Sequence, residues 1–250
     1  MSAKMKVAFV SGSGRGLGAA MVRALATQGF AVVVNDLDRD AVEAQVRELE
    51  GQGVAVLASH HDISIAGEAE AAIQATTDRF GSIDVLVNNA GIIRDGMLHK
   101  LSEESWDDVI RVNLKGVFNL GQAAAKRMRE AKRGRIINVS STSRLGNIGQ
   151  SNYAAAKAGV VGLTRTWALE LARSQVTVNA VAPGVIDTEM SRKIPAEIKE
   201  RMVKKIPLGR IGDPENVADL VAFLASDQAG YITGQVIQVD GGFSTGVSPD

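Results

Sequence analysis

Apolar and polar positions along the chain alternate between two periods. Short runs, apolar nearly throughout and rich in β-branched residues, occur at Val7–Val10, Ala31–Asn35, Val54–Leu57, Val85–Val87, Arg135–Val139, Val176–Ala180 and Gln235–Val239. Strands with two apolar faces belong inside a parallel sheet covered by helices. Longer stretches with helical spacing lie between them, at Gly16–Gln28, Arg39–Gly51, Ile65–Phe80, Glu103–Ala131, Asn152–Ala172 and Pro214–Ala225. In the first of these, Leu17, Met21, Ala24 and Leu25 form one stripe. Gly29, Gly51, Gly53, Gly81 and Gly134 fall where helix C-caps are expected. Asp213-Pro214 reads as an N-cap and first helical residue. The alternation predicts an α/β fold, a doubly wound three-layer sandwich around a seven-stranded parallel sheet. Handed crossovers leave few topologies for it. No linker or repeat interrupts the pattern, so residues 1–250 read as one domain. Ile186–Gly212 is the long stretch without a strand and reads as a helical insertion or lid over a substrate.

Composition narrows the chemistry. At 250 residues, 45% hydrophobic and 22% charged, the chain can bury a sizeable core. Lys+Arg and Asp+Glu number 28 each, so no global charge draws it to nucleic acid or an anionic membrane. It has no cysteine, which excludes thiolate catalysis and Cys-based metal sites, and its three histidines argue against a histidine zinc site. No apolar run reaches membrane-spanning length, and the expected compartment is a reducing cytoplasm.

Directly after the first strand comes Gly12-Ser13-Gly14-Arg15-Gly16-Leu17-Gly18, followed by a helix. Glycines permit close backbone approach, and a helix N-terminus attracts a pyrophosphate. The common G-x-G-x-x-G spacing fails at Leu17; Gly12-x-x-x-Gly16-x-Gly18 fits instead. No Gly-Lys-Ser/Thr follows, which excludes a P-loop. The second strand ends at Asn35-Asp36, where an acidic residue in a dinucleotide fold bonds the adenosine ribose 2′-OH. A carboxylate there repels a 2′-phosphate and favours NAD over NADP. Arg15 points the other way, since a guanidinium in the loop can bind that phosphate; Asp36 is weighted more heavily. Asp62, in His61-Asp62-Ile63, either meets the adenine or caps a helix.

Tyr153 and Lys157 are four residues apart and share a helix face. An ammonium beside a phenol favours the phenolate, so the expectation is a lowered Tyr153 pKa and an acid/base usable near neutrality. On spacing alone, an exposed pair that merely shares a face is equally consistent.

Taken in order, Gly12-x-x-x-Gly16-x-Gly18, Asn88-Asn89-Ala90-Gly91, Asn113, the serines after Ile136-Ile137-Asn138-Val139, Tyr153-x-x-x-Lys157 and Pro183-Gly184-Val185-Ile186-Asp187-Thr188 resemble the short-chain dehydrogenase/reductase family across essentially the whole chain. Gly149-Gln150-Ser151-Asn152-Tyr153 and Ile232-Thr233-Gly234-Gln235 through Val239-Asp240-Gly241-Gly242 look most like 3-oxoacyl-[acyl-carrier-protein] reductases. The resemblance implies a Rossmann-type enzyme moving a hydride between a nicotinamide cofactor and a carbonyl or secondary alcohol. The first expectation is a 3-oxoacyl thioester on carrier protein or coenzyme A; the alternative is a cyclic or secondary alcohol or diol. Tyr153 would exchange a proton with the substrate oxygen, and Lys157 would lower its pKa and hold the nicotinamide ribose. Asn113 would interrupt helical bonding and hold a water that relays protons to Lys157, and a serine would bind the oxygen. Gly12, Ser13, Arg15, Gly16, Leu17, Gly18, Asp36, Asp62, Ile63, Asn89, Ala90, Gly91, Pro183, Gly184, Ile186 and Thr188 would line the cofactor together with Tyr153 and Lys157. A non-catalytic nucleotide-binding redox sensor is the remote alternative, which the complete Asn-Ser-Tyr-Lys set disfavours.

The family's serine commonly stands thirteen residues before the Tyr, which selects Ser140; aligning the strand Arg135–Val139 selects Ser141. A slip inside a buried strand inverts every side chain, whereas a loop absorbs a deletion cheaply, so Ser141 is expected. Lys126, Arg127, Arg129, Lys132, Arg133 and Arg135 form a basic cluster that reads either as a solvated helix end or as a dock for an acidic carrier. Met190, Ile194, Met202 and Ile206 line a pocket under the lid or simply pack. The resemblance further implies a homotetramer.

Overall fold

A computed structural model describes residues 5–192 and 196–246. Seven strands, β1 (Val7–Ser11), β2 (Ala31–Asn35), β3 (Val56–Ser59), β4 (Val85–Asn88), β5 (Gly134–Val139), β6 (Val176–Pro183) and β7 (Val236–Val239), run parallel in the order β3-β2-β1-β4-β5-β6-β7. The chain leaves β3 at one edge and re-enters beside β1 as β4. A crevice therefore opens at the C-terminal ends of β1 and β4, where ligands bind in such sheets.

Strand alternation assigns the two cores. Ala8, Val10, Val32, Val34, Val85 and Val87 pack against Met21, Leu25, Val46, Val221 and Leu224, which lie on α1 (Gly16–Thr27), α2 (Arg39–Gly51) and α9 (Pro214–Ala225). Phe9, Val33, Leu86, Ile136 and Val178 face the other way, against Ile73, Leu120, Met128 and Ala168 on α3 (Ala66–Phe80), α5 (Gly116–Ala131) and α6 (Ser151–Leu171).

Three local expectations shift. The third strand begins at Val56 rather than Val54, two residues later than its apolar run suggests, because Val54 closes the α2 terminus by donating to Leu49 O. Glu103–Ala131 is helical throughout but not one α-helix: α4 (Glu103–Ile110) passes through a π-helical segment, Arg111–Lys115, into α5. Gly134 is the first residue of β5 rather than a cap. Lys132 takes the left-handed conformation (φ 53°) that ends α5, and a Cβ on Gly134 would lie 2.5 Å from Met128 Sδ.

Residues 186–212 include two short helices, α7 (Glu189–Arg192) and α8 (Ala196–Lys204), and the two ends of this stretch are pinned together by a parallel bridge between Ile186 and Gly212. Ile206 is buried under Gly241 rather than turned toward a pocket, while Met202 is partly exposed. Ile194 and the Met190 side chain lie outside the described residues.

Candidate active site

The glycine turn is built by exclusion. A Cβ on Gly18 would lie 2.1 Å from Gly12 O, so no side chain fits there, and Gly16 has φ +56° with open space beside it. Asn89 Nδ2 donates to the carbonyls of Ser11 (3.0 Å) and Gly12 (2.8 Å), and Ala90 packs on Gly12. Helix α1 starts with no side-chain cap and no acidic residue in its first turn, which leaves its N–H groups for an anion. These residues fit a dinucleotide pyrophosphate. The Ser13 hydroxyl donates to Val10 O and accepts from Asn35 N, and its N–H bonds Asn35 O, so it ties β1 to β2. Leu17 and Ile63 turn their side chains into the cores.

Asp36 follows β2, its carboxylate held by Gly14 N (3.2 Å) and Asp38 N (3.2 Å). Arg15 pairs with Asp38 and, at 3.7 Å, with Glu189. Asp62 does not cap α3. It accepts from Ser64 N at 2.8 Å and sits 3.9 Å from Arg111, while Ile65 occupies the cap position. Gly184 N bonds Val239 O, Ile186 is in the core, and the Thr188 hydroxyl accepts from Ser191 N. Pro183 ends β6 at the crevice.

Tyr153 lies in the first turn of α6, with the Ser141 side chain near enough to its hydroxyl to draw the phenol pKa down. Ser140 and Ser141 continue β5 and point to opposite sides. Ser140 is buried, and its Oγ donates to Lys157 O (2.8 Å). The pairing of Arg135–Val139 with Thr177–Val181 holds that register. Ser141 opens a 3₁₀ turn at Thr142–Leu145; its Oγ accepts from Ser143 N, and Arg144 Nη1 holds its carbonyl.

The electrostatics run against the sequence expectation. Burial pushes the Tyr153 phenol up to about 12; the Ser141 side chain draws it down, and the Asp95 carboxylate pushes it further up. Lys157 is buried one turn along, its Nζ 5.6 Å from the Tyr153 ring centroid. Its ammonium donates to Val139 O (2.7 Å), and burial lowers its pKa to about 8. The protein's own groups thus keep the proton on Tyr153 at neutral pH, the state that can donate to a carbonyl oxygen.

Asn113 is buried in the π-helical segment. Its Oδ1 accepts from Ile92 N (2.8 Å), its Nδ2 donates to Ile92 O (3.0 Å), and it packs on Gly91. Sequence reasoning missed three residues that brace this region: Asp95, Gln150 and Asn152. The run Gln150-Ser151-Asn152-Tyr153 contains two of them, but only their contacts show a use. Of the basic cluster, Lys126 and Arg127 pair with Glu70, Arg133 with Asp84, and Arg135 with Asp227. The described residues contain no group of three or more potential metal ligands, and no helix among them is long and apolar enough to cross a membrane.

Residues 12–244 match a family model described as enoyl-(acyl carrier protein) reductase. The chain is similar to a 3-oxoacyl-[acyl-carrier-protein] reductase from Staphylococcus aureus (48% identity, 95% of this chain and 97% of the relative). It is 45% identical to a (2S)-[(R)-hydroxy(phenyl)methyl]succinyl-CoA dehydrogenase subunit from Thauera aromatica, over 98% of both chains. A gluconate 5-dehydrogenase from Burkholderia cenocepacia, solved with NADP and tartrate, superposes with a TM-score of 0.93 at 36% identity, covering 97% of this chain and 96% of the other.

Proposed function

Because the chain belongs to the short-chain dehydrogenase/reductase family and is an NAD(P)-dependent oxidoreductase, we propose that it reduces 3-oxoacyl thioesters, with Tyr153 as the proton donor. The observation that carries this reading is the buried Lys157 ammonium one turn behind Tyr153, its Nζ 5.6 Å from the ring centroid, with Ser141 beside the phenol. A substrate carbonyl oxygen takes hydrogen bonds from both hydroxyls, and Tyr153 passes its proton as negative charge develops there. When bound, the nicotinamide supplies the hydride to the carbonyl carbon. Lys157, fixed by Val139 O, keeps a positive charge beneath Tyr153 that stabilises the phenolate left behind. Asn113 holds the backbone at Ile92 and so the wall of the crevice.

The mouth supports an acyl substrate. A bridge between Gly96 and Gln150 sets two loops side by side, and they expose Met97, Leu98, Leu145 and Ile148. A polyol would find few matching hydrogen-bond groups on such a rim. Two of the relatives described above carry acyl-thioester substrates in their names.

For the cofactor we propose NAD(H). Asp36 and Asp38 set two carboxylates beside the glycine turn that would repel a 2′-phosphate there, and Arg15, the cation that could receive it, is paired with Asp38 and Glu189. The NADP-bound gluconate dehydrogenase makes the opposite outcome a real one. The test is a matrix of NADH and NADPH against 3-oxoacyl-carrier and 3-oxoacyl-coenzyme A thioesters, cyclic ketones and polyols. We expect the highest kcat/KM on a thioester and a KM for NADH at least about tenfold below that for NADPH, about 1.4 kcal/mol. Preference for a polyol would overturn the substrate reading, and a lower KM for NADPH the cofactor reading. The choice between carrier and coenzyme A thioesters tests the carrier partner directly, since four cations of the basic cluster are already paired within the chain. The same reading includes a homotetramer, for which the exposed apolar residues Phe118, Leu169, Phe223 and Tyr231 supply contact surface; a monomeric mass in light scattering rules that out.

The two serines separate by role. Ser141→Ala should lower kcat by about 10²-fold with an unchanged melting temperature, as for loss of one oxyanion donor. Ser140→Ala should cost about 1 kcal/mol of stability through its lost bond to Lys157 O, with a smaller kinetic effect. Near-full turnover in Ser141→Ala would transfer the role to Ser140.

A further inference from the structure

The first turn of α6 has a capping problem that its sequence solves unusually. Gln150 occupies the N-cap position but makes no side-chain cap bond. The Tyr153 N–H, one of the orphan donors of that turn, is taken by Asn152 Oδ1 at 2.8 Å. Asn152 is fully buried, and its Nδ2 donates to two other elements: Arg94 O (3.0 Å) in the loop after β4 and Ser105 O (2.9 Å) in α4. One carboxamide thereby ties Tyr153 to the helix that runs into the Asn113 segment. Beside it, Gln150 Nε2 donates to both carboxylate oxygens of Asp95 (3.2 and 3.3 Å), its Oε1 accepts from Asn147 Nδ2 (2.8 Å), and Gly96 N bonds Gly149 O (2.8 Å).

We propose that Asn152 and the Asp95–Gln150 pair are positioning residues, a strap that holds the first turn of α6 so that the Tyr153 hydroxyl meets Ser141. The proposal rests on Tyr153 as the acid/base. The strap touches neither the glycine turn nor Asp36, so its loss acts on proton transfer and not on dinucleotide binding. An error of about 1 Å in a reacting group costs about 10²-fold in rate.

The test has two parts, each run beside Tyr153→Phe. Asn152→Ala is expected to lower kcat by about 10²-fold, with the NADH dissociation constant and substrate KM each within about threefold of the parent. A kcat within threefold of the parent, or cofactor affinity falling as far as kcat, overturns the strap. Gln150→Glu sets two carboxylates against each other and is expected to lower kcat by about tenfold. Adding Asp95→Asn restores an amide–carboxylate pair of reversed polarity and should recover most of that loss. Absence of recovery overturns the proposal even if Asn152→Ala fails to fold. Retained turnover in Tyr153→Phe instead removes the mechanism on which the strap depends.

Discussion

Tyr153→Phe is expected to lower kcat by about 10³-fold while NADH binding changes by less than about threefold, within the range for a lost general acid. The substitution keeps the ring and removes only the hydroxyl that meets Ser141. The pH dependence carries a second signature. A phenol held up to about 12 by burial stays protonated through the neutral and mildly alkaline range. Reduction, which needs the protonated phenol and the Lys157 ammonium, should therefore hold its rate from pH 6 to 7 and fall as Lys157 loses its proton near pH 8, whereas oxidation, which needs the phenolate, should climb with pH between 6 and 8. Both trends should vanish with the hydroxyl. Steady-state kinetics in the two directions checks this, and residual turnover within tenfold of the parent removes Tyr153 from the mechanism.

Lys157→Met should abolish most turnover and raise the melting temperature at pH 7. The two effects have one cause. Lys157 is fully buried, and burial lowers its pKa from 10.5 to about 8, so keeping it charged costs the fold about 3 kcal/mol. Methionine fills a similar volume without charge, although it gives up the bond to Val139 O, worth about 1.5–3 kcal/mol for a charged donor. A net gain of about 1 kcal/mol corresponds to about 2–4 °C for a chain of this size. The gain should be full below pH 8, where the folded parent carries the buried charge, and should fade between pH 8 and 10.5 as the lysine becomes neutral in both states. Thermal unfolding of parent and variant across that range measures it. A lower melting temperature for the variant below pH 8, or a pH-independent difference, contradicts the account. The expected gain makes the site an example of stability given up for chemistry.

Much of this molecule was legible in short segments of chain. Arg39–Gly51 and Pro214–Ala225 begin and end where their caps and periodicity place them, and the seven apolar runs became the seven strands in a parallel sheet. The glycine turn and the Tyr153/Lys157 spacing were readable for the same reason: each is a constraint carried by a few consecutive residues. The π-helical segment around Asn113 was implied by the family resemblance, which has Asn113 interrupt helical bonding, but not by periodicity, because an added residue per turn leaves the apolar stripe of Glu103–Ala131 nearly intact.

The active-site chemistry was decided at long range. Neighbouring serines are equivalent as text; the pairing of β5 with β6 turns Ser140 toward the Lys157 carbonyl and Ser141 toward Tyr153. Spacing predicted a lowered Tyr153 pKa, and in the fold it is raised instead, because burial of the phenol outweighs what draws it down. Asp95 and Asn152, far apart along the chain, meet only when the loop after β4 lies against α6. The sequence by itself determined the order of elements, the glycine turn and the spacing of Tyr153 and Lys157 on one helix, since local periodicity and backbone freedom are properties of adjacent residues. The tertiary structure alone decided which serine faces Tyr153, where each charge points and which way each pKa moves, since burial and hydrogen-bond partners are supplied by segments remote in the chain.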